Sequence, residues 1–266
     1  MIRTLVDRYF IKQPRLRSAI TRLVYGDEDR EVDLFGSRLV INSLRENGYV
    51  RAVRKMNYSS LLQGEVSVML SLSTILRPGD TFVDVGANIG LFCCTLSRIN
   101  RPSASPLVRF YAYEPHPDTF RRLDANARKN GITVRNVAAS DHAGELEFVD
   151  GAVSHVFTVA ERSSAYNLPN KRYRVSSVRL DEEPVEGDSM ILKIDVENQE
   201  LAVLQGAQKW FERQRVKAVY LDGYADKEQV EEILRRFGFR FLNGCTLMPF
   251  TPGDFNLLAV RPDKST

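Results

Sequence analysis

The sequence predicts an α/β fold with a mostly parallel sheet. From about residue 80 onward, short apolar segments alternate with segments of helical periodicity, a pattern typical of βαβ units. The last two strand-like segments, Phe239–Leu242 and Phe255–Val260, have no helix between them, so they predict an antiparallel C-terminal hairpin. A glycine-containing turn, Asp84–Gly90, joins a predicted strand to a predicted helix, which is where folds of this class bind ligands.

The core elements can be assigned individually. Five compact apolar segments predict parallel strands: Thr81–Val85, Val108–Tyr113, Ile132–Ala138, Met190–Ile194 and Val216–Leu221. Helices are predicted for Leu91–Ile99 and for three segments with apolar stripes, marked by Phe120, Leu123 and Ala127, by Leu201, Leu204, Ala207 and Phe211, and by Val230, Ile233, Leu234 and Phe237. Residues 144–180 interrupt the alternation with three β-prone segments, Glu145–Val149, Ala152–Val159 and Arg172–Leu180.

An N-terminal extension precedes this pattern. Residues 1–25 predict a helix, and Glu31–Phe35 and Arg38–Ile41 flank Gly36-Ser37 as a predicted hairpin. Ser60–Leu76 has near-helical apolar spacing and stops at a Pro-Gly pair. We therefore divide the chain into an extension of residues 1–59 and an α/β domain of residues 60–266, with inserted strands at about 144–180.

Composition excludes several classes of protein. The 266 residues are 43% apolar and 27% charged, which is typical of a globular chain and not of a disordered one. No apolar run approaches the ~20 residues of a membrane span. The net charge of +3 has a local surplus of basic residues within residues 1–25. That surplus indicates either a solvated helix face or a surface for an anionic partner or membrane headgroups.

The cysteines favour a reducing compartment. Cys93, Cys94 and Cys245 are odd in number, and two of them are adjacent, so a disulfide framework is not expected. Basic residues interrupt every apolar run of the N-terminal segment, which is unlike a signal peptide. These observations predict buried thiols and a cytoplasmic protein.

The turn Asp84–Gly90 reads DVGANIG and is the most informative segment. Gly86 allows a sharp turn and a close approach of a ligand to the backbone, and Gly90 allows the next helix to pack closely on the sheet. Asn88 occupies a position where the dinucleotide fingerprint has glycine. A polar side chain there suits a ligand with a charged amino-acid group, and Asp84 offers a carboxylate to an ammonium.

Glu114 follows the second predicted strand, ~30 residues after Asp84, which is one βαβ step. An acidic residue at this position can accept hydrogen bonds from both hydroxyls of a ribose. The strand, the D-x-G-x-N-x-G turn, the helix and the terminal glutamate together predict a nucleoside-containing cofactor.

Three segments resemble one protein family. Asp84–Gly90, Glu114-Pro115 and Leu192–Glu200 as LKIDVENQE are similar to the FkbM family of S-adenosylmethionine-dependent methyltransferases. Glu65, which precedes the turn Asp84–Gly90, also matches this family. The resemblance implies the Rossmann-like class I methyltransferase fold, with a seven-stranded sheet, and S-adenosylmethionine as the cofactor.

The resemblance also implies which residues bind the cofactor. They are expected to be Asp84, Gly86, Ala87, Asn88 and Gly90 of the turn, Glu114 at the ribose and Ala139 near the adenine. One departure lies at Asn198-Gln199, where the family usually has Gly-Ala. The loss of this glycine is expected to alter the turn and to narrow the site beside the methyl group, which puts the substrate class in question.

Methyl transfer to an alcohol needs an aligned acceptor oxygen and a proton acceptor. Asp195 directly follows the apolar segment Met190–Ile194, and we expect it to act as the base or to orient the acceptor, with Glu197 secondary. A structural alternative for Glu197 and Glu200 is a place in the first turn of the next helix. A magnesium site built from Asp195 and Asp222 is conceivable but not favoured.

The leading hypothesis is an O-methyltransferase acting on a hydroxyl of a small molecule or carbohydrate. An RNA or protein methyltransferase is an alternative, although nothing marks a basic, aromatic-bearing nucleic-acid groove. A non-catalytic cofactor-binding protein is a third, motivated by Asn198-Gln199. The sequence leaves homo-oligomerisation open.

Overall fold

The computed structural model describes residues 14–54, 60–100, 107–150, 157–160 and 171–262. Its helices are α1 Pro14–Tyr25, α2 Asn47–Arg54, α3 Ser60–Ile75, α4 Leu91–Ile99, α5 Pro117–Arg128, α6 Glu200–Gly206, α7 Gln208–Glu212 and α8 Lys227–Arg236. Its strands are β1 Asp29–Leu34, β2 Ser37–Asn42, β3 Thr81–Val85, β4 Arg109–Tyr113, β5 Thr133–Arg135, β6 Ala138–Ala139, β7 Gly144–Asp150, β8 Phe157–Val159, β9 Lys171–Val178, β10 Met190–Ile194, β11 Val216–Asp222, β12 Arg240–Asn243 and β13 Asn256–Val260.

A seven-stranded sheet forms the centre of the fold. Its order is β12-β13-β11-β10-β3-β4-β5. The five strands from β11 to β5 are mutually parallel, and β13 runs antiparallel to both β11 and β12. The predicted mostly parallel sheet with an antiparallel C-terminal hairpin is therefore confirmed. Because β3 and β10 are central neighbours, their carboxyl ends meet at one edge of the sheet.

Two elements were each predicted to be continuous, but both are interrupted in the structure. Ile132–Ala138 was predicted as one strand, but β5 ends at Arg135 and β6 belongs to a second sheet. The chain leaves the main sheet at Asn136, whose amide donates to the backbone oxygen of Glu114 at 2.8 Å. The predicted helix after β10 is divided into α6 and α7, because Ala207 between them has φ −106° and ψ 8°.

The inserted segments form a separate sheet of order β6-β9-β7-β8. Strand β7 pairs antiparallel with both β8 and β9, and β6 pairs parallel with β9. The predicted extra strands of this region are thereby confirmed where the structure describes them, while residues 151–156 and 161–170 lie outside the described residues. Ala139, at the end of β6, lines the same cavity as Glu114 at the end of β4. The second sheet therefore meets the main sheet at its carboxyl edge.

Each face of the main sheet has its own core. Phe82, Ile191 and Ala218 pack on one face with apolar residues of α3, α4 and the N-terminal hairpin. The alternating residues of the same strands, such as Val83 and Leu192, pack on the other face with α6 and α8. Because both faces are covered, the central strands are mostly apolar on both sides instead of alternating in polarity, with Asp84 and Lys193 as paired exceptions.

The N-terminal hairpin of β1 and β2 is confirmed and packs into this core. The side chain of Asn126 on α5 bonds both the nitrogen and the oxygen of Val40, at 2.6 and 3.0 Å. Arg122 on the same helix donates to Glu46 at 3.0 Å, with both side chains buried. Glu46 immediately precedes α2, so its bond to Arg122 fixes the start of that helix against α5.

The structure describes the basic N-terminal segment from Pro14 onward. The predicted helix is confirmed for Pro14–Tyr25, and residues 1–13 lie outside the described residues. Within the described part of the chain, no helix combines the length and the apolar character that a membrane crossing needs.

Candidate active site

An open cavity of about 760 Å³ lies at the carboxyl ends of β3, β4 and β10. That figure is all the empty space of the open cleft and includes solvent at its mouth. The cavity borders both sheets and the loop after β10. Its lining residues are Val85, Gly86, Asn88, Tyr113, Glu114, Pro115, Val137, Ala138, Ala139, Leu146, Phe148, Asp195, Val196, Glu197 and Gln199.

The turn after β3 forms the floor of the cavity. Gly86 has φ +72°, and a Cβ atom there would overlap the backbone oxygen of Asp195, so only glycine allows the turn and the β10 loop to approach this closely. Asn88 also has positive φ, at +52°. Its Oδ1 atom is shielded from solvent and has no hydrogen-bond partner within the described residues.

Gly90 and Asp84 do not line the cavity. Gly90 begins α4 with φ +86°, and a Cβ there would press on the side chain of Leu123, so its role is close packing of α4 and α5. The Asp84 carboxylate is fully buried below the turn. Lys193 lies 3.1 Å from its Oδ1, and the Cys93 N–H donates to its Oδ2 at 3.3 Å.

Lys193 connects the two central strands. Its Nζ donates to the Gly86 backbone oxygen at 3.2 Å, and it pairs with Asp195 Oδ2 at 3.2 Å. Burial alone would lower the pKa of this ammonium, but the carboxylates of Asp84 and Asp195 outweigh burial and raise it. Lys193 is thus charged at neutral pH and holds both aspartates.

Glu114 lines the cavity at the end of β4. Its two carboxylate oxygens accept backbone hydrogen bonds, from Asn88 N at 2.9 Å and from His116 N at 2.8 Å. Burial raises the pKa of Glu114 to about 7, against the lowering effect of these two bonds. Each carboxylate oxygen can accept more than one bond, so both retain capacity toward the cavity.

The remaining wall is mostly apolar. Ala139 and Ala138 of β6 and Leu146 and Phe148 of β7 line it opposite the turn after β3. A flat aromatic group can pack against such a surface while its polar edge meets backbone groups. The structure therefore places Ala139 in the same cavity as Glu114 and Asn88.

The loop after β10 carries the predicted catalytic residues. Asp195 and Glu197 both line the cavity, and the Asp195 side chain is 42% exposed. Asn198 adopts φ +62°, a left-handed conformation that asparagine tolerates better than most residues, so the turn persists without glycine. Gln199 also lines the cavity, where its side chain occupies more space than alanine would.

Glu200 lies in a buried position where its carboxylate has a structural role. It is buried in the first turn of α6, and its Oε2 accepts from Ala225 N at 3.1 Å. Burial raises its pKa to about 7. Its carboxylate joins the start of α6 to the loop after β11 and does not line the cavity.

The family model described as the methyltransferase FkbM domain matches residues 84–241, more than half of the chain. The chain belongs to the FkbM methyltransferase family. A hexuronic acid methyltransferase, AglP, of Haloferax volcanii is 24% identical over 210 residues, covering 77% of this chain and 78% of that protein. The 31-O-demethyl-FK506 methyltransferase FkbM of Streptomyces tacrolimicus is 30% identical over 197 residues, covering 62% and 74%.

Among solved structures, the fibrillarin of Aeropyrum pernix with bound S-adenosyl-L-methionine is similar at 16% identity and a TM-score of 0.41, covering 89% of this chain and 84% of that one. The fold is that of class I methyltransferases, and this FkbM-family protein is an S-adenosylmethionine-dependent methyltransferase.

The cavity suits that cofactor. Asn88 Oδ1 is a buried acceptor without a partner in the described part of the chain, Glu114 offers acceptors for hydroxyls, and the β6–β7 wall is apolar. The cofactor supplies an electrophilic methyl group on a positively charged sulfur. Within the described ranges, no group of three His, Cys, Asp or Glu residues is arranged to hold a metal ion.

Three residues around the site were not predicted as functional from the sequence. The sequence places Lys193 on the same side of its strand as Asp195, because the two positions alternate, but it gives Lys193 no role. Tyr49 and Glu65 come from α2 and α3, well before the cofactor loop, and only the resemblance singled out Glu65.

The cysteines are free thiols, with Cys93 and Cys94 buried and Cys245 only partly buried.

Proposed function

We propose that this methyltransferase transfers the methyl group to a hydroxyl oxygen of a small molecule, with a carbohydrate as the best-supported class of acceptor. The observation that carries the proposal is the cavity in which Asn88, Glu114 and Asp195 converge at the carboxyl edge of the sheet. The names of both curated relatives support it, since one refers to a hexuronic acid and the other to the 31-O position of FK506.

Within this proposal the cofactor-binding residues act in two ways. Asn88, Gly86 and Glu114 contact the cofactor from the turn and from the end of β4, and Ala139 lies beside its adenine. Ala87 was predicted to bind the cofactor too, but it is buried in the core and does not line the cavity. Asp84 and Gly90 act indirectly. Asp84 holds Lys193, which in turn donates to the Gly86 backbone, and Gly90 sets the position of α4.

Asp195 orients the acceptor in this proposal. It is the most exposed carboxylate of the Lys193 network, and it lines the cavity at the end of β10. Fixing an acceptor oxygen in line with the methyl group can supply ~7–11 kcal/mol of rate acceleration. Glu197 has a secondary role at the same rim.

The test is a screen of acceptor pools with methyl-labelled S-adenosylmethionine, read by mass spectrometry. Wild-type protein should add one labelled methyl group to a hydroxyl of a neutral or acidic sugar fraction. Asp195→Asn should lose at least ~10²-fold in rate, whereas Glu145→Gln, at an exposed position on β7, should behave as wild type. Label transfer only to RNA or to proteins would contradict the proposal.

A further inference from the structure

A tyrosine–glutamate pair lies on helices that precede the cofactor loop; it does not line the cofactor cavity, but it lies within electrostatic reach of Lys193, Asp195 and Asp222. Tyr49 on α2 donates from its hydroxyl to Glu65 Oε1 on α3 at 3.1 Å. The other oxygen, Glu65 Oε2, is shielded from solvent and has no hydrogen-bond partner among the described residues. A buried carboxylate oxygen without a donor is costly, which indicates a function that needs that oxygen free.

The direction of α3 places Glu65 at the carboxyl edge of the sheet. The C-terminal end of α3 lies at the opposite edge, where Ile75 O accepts from Lys217 near the start of β11 at 2.9 Å. At the other end of the helix, the Gly64 backbone oxygen is 4.0 Å from Cys245 Sγ. Cys245 Sγ in turn accepts from Asn256, the register partner of Asp222 at the end of β11.

The charges of the site act on Glu65. Burial raises its pKa to about 7. The hydrogen bond from Tyr49 and the ammonium of Lys193 oppose this rise, and the carboxylates of Asp222 and Asp195 add to it. Tyr49 responds to the same surroundings, since burial first and then Glu65 and Asp195 raise its pKa. The pair thus faces β10, β11 and the turn that carries Cys245.

Asp195 and Glu65 differ in their availability as a base. Asp195 Oδ2 is paired at 3.2 Å with the Lys193 ammonium, so this oxygen is already held in an ion pair. Glu65 has no such ion pair among the contacts of the described residues, and a group that titrates near neutral pH is well matched to general-base catalysis.

We propose that Glu65, held by Tyr49, is the residue that accepts the proton of the acceptor hydroxyl, with Asp195 orienting that hydroxyl. This rests on the proposed function. The acceptor O–H bond breaks and its proton moves to Glu65 Oε2, while an oxygen electron pair forms the new O–CH₃ bond. The S–CH₃ bond breaks with its electron pair left on sulfur, which gives neutral S-adenosylhomocysteine. Tyr49 is a positioning residue, since it acts through Glu65.

The decisive experiment measures the pKa of Glu65 by NMR, with ¹³C-labelled glutamate carboxyls in the full chain. The Glu65→Gln variant identifies the resonance. S-adenosylmethionine carries a positive sulfur and S-adenosylhomocysteine does not. A unit charge within ~10 Å at an effective dielectric constant of ~20 shifts a pKa by about one unit. The pKa of Glu65 should therefore be lower by about one unit in the S-adenosylmethionine complex.

Glu46 is the matched control, because its carboxylate is also buried but is paired with Arg122. Its pKa should be the same in both complexes. An equal pKa of Glu65 in the two complexes would overturn the inference while leaving cofactor binding intact. If neither ligand changes the spectrum, the proposed function fails and the inference fails with it.

A kinetic arm uses the acceptor found in the screen. Glu65→Gln should lower kcat by ~10²–10⁴-fold with an unchanged Kd for S-adenosylhomocysteine, and Tyr49→Phe should move the acidic limb of the pH–rate profile. Glu145→Gln should leave both unchanged. Wild-type kcat in Glu65→Gln, with the pH profile also unchanged, would contradict the assignment.

Discussion

Removing the charge of Lys193 should destabilise the protein strongly, because this ammonium compensates a fully buried carboxylate. In Lys193→Met the Asp84 carboxylate keeps, among its contacts within the described ranges, the hydrogen bond from the Cys93 N–H at 3.3 Å. At 3.1 Å and an effective dielectric constant of ~20, the lost attraction is about 5 kcal/mol. Part of this is offset, since Lys193 no longer has to be desolvated. We expect a loss of ~3–5 kcal/mol in the free energy of unfolding.

Urea unfolding without cofactor measures this loss, and a second substitution tests its cause. Lys193→Met combined with Asp84→Asn leaves no uncompensated charge at the pair, so the double variant should be at least ~2 kcal/mol more stable than Lys193→Met alone. Lys129→Met is the control, because Lys129 is 70% exposed, and it should change stability by less than ~0.5 kcal/mol. A loss below ~1 kcal/mol in Lys193→Met, or no recovery in the double variant, would refute this reasoning.

Two further perturbations test the turn and the buried glutamate. Gly86→Ala should lower the free energy of unfolding by at least ~1–2 kcal/mol, because of the positive φ alone. It should also weaken S-adenosylhomocysteine binding, because the new Cβ overlaps the Asp195 backbone oxygen. Calorimetric binding equal to wild type would contradict this close approach of the two backbones. Glu65 has a pKa of about 7 in the folded state and ~4.3 unfolded, so its contribution to stability is fully present below pH ~4 and falls as the pH rises through 7. Urea unfolding at pH 5 and at pH 8 measures this effect. In Glu65→Gln the difference in unfolding free energy between the two pH values should be smaller than in wild type by up to ~3 kcal/mol. An unchanged difference would argue against a buried Glu65 that titrates in this range.

The sheet and the cofactor edge could be predicted because their signals are local. Apolar strands followed by helices specify βαβ units whatever the rest of the chain does. The turn after β3 and the glutamate after β4 fall at the ends of adjacent parallel strands, so their proximity follows from topology alone. For this reason Gly86, Asn88, Glu114 and Asp195 were all predicted to lie at the edge where the structure brings them together.

The remaining features depend on contacts that are distant in sequence. The third strand divides at Asn136, because its side chain bonds the backbone of β4, a partner that no local pattern reveals. The partner of Asp84 was expected to be a ligand ammonium, whereas the structure shows Lys193, 109 positions later in the chain. Tyr49 and Glu65 are 16 positions apart and meet through a side-chain hydrogen bond between α2 and α3, and the start of α2 is held to α5 by the bond from Arg122 to Glu46.

Asn198 illustrates a conformation that a motif alone does not give. A glycine is usual there in the family, and its absence was expected to alter the turn. The backbone nevertheless adopts φ +62°, because asparagine is among the non-glycine residues that most readily tolerate the left-handed region. The difference that remains is the Gln199 side chain on the cavity wall, so any effect on the acceptor is expected from volume rather than from backbone geometry.

The most direct test of the cofactor site is isothermal titration calorimetry of S-adenosylhomocysteine with wild-type protein, Glu114→Ala and the exposed control Glu145→Ala. We predict one site per chain in wild type and in the control. Glu114→Ala should bind at least ~10-fold more weakly, because hydrogen bonds to a charged group contribute ~1.5–3 kcal/mol. Absence of binding by wild-type protein, or wild-type affinity in Glu114→Ala, would contradict the assignment of this cavity to the cofactor.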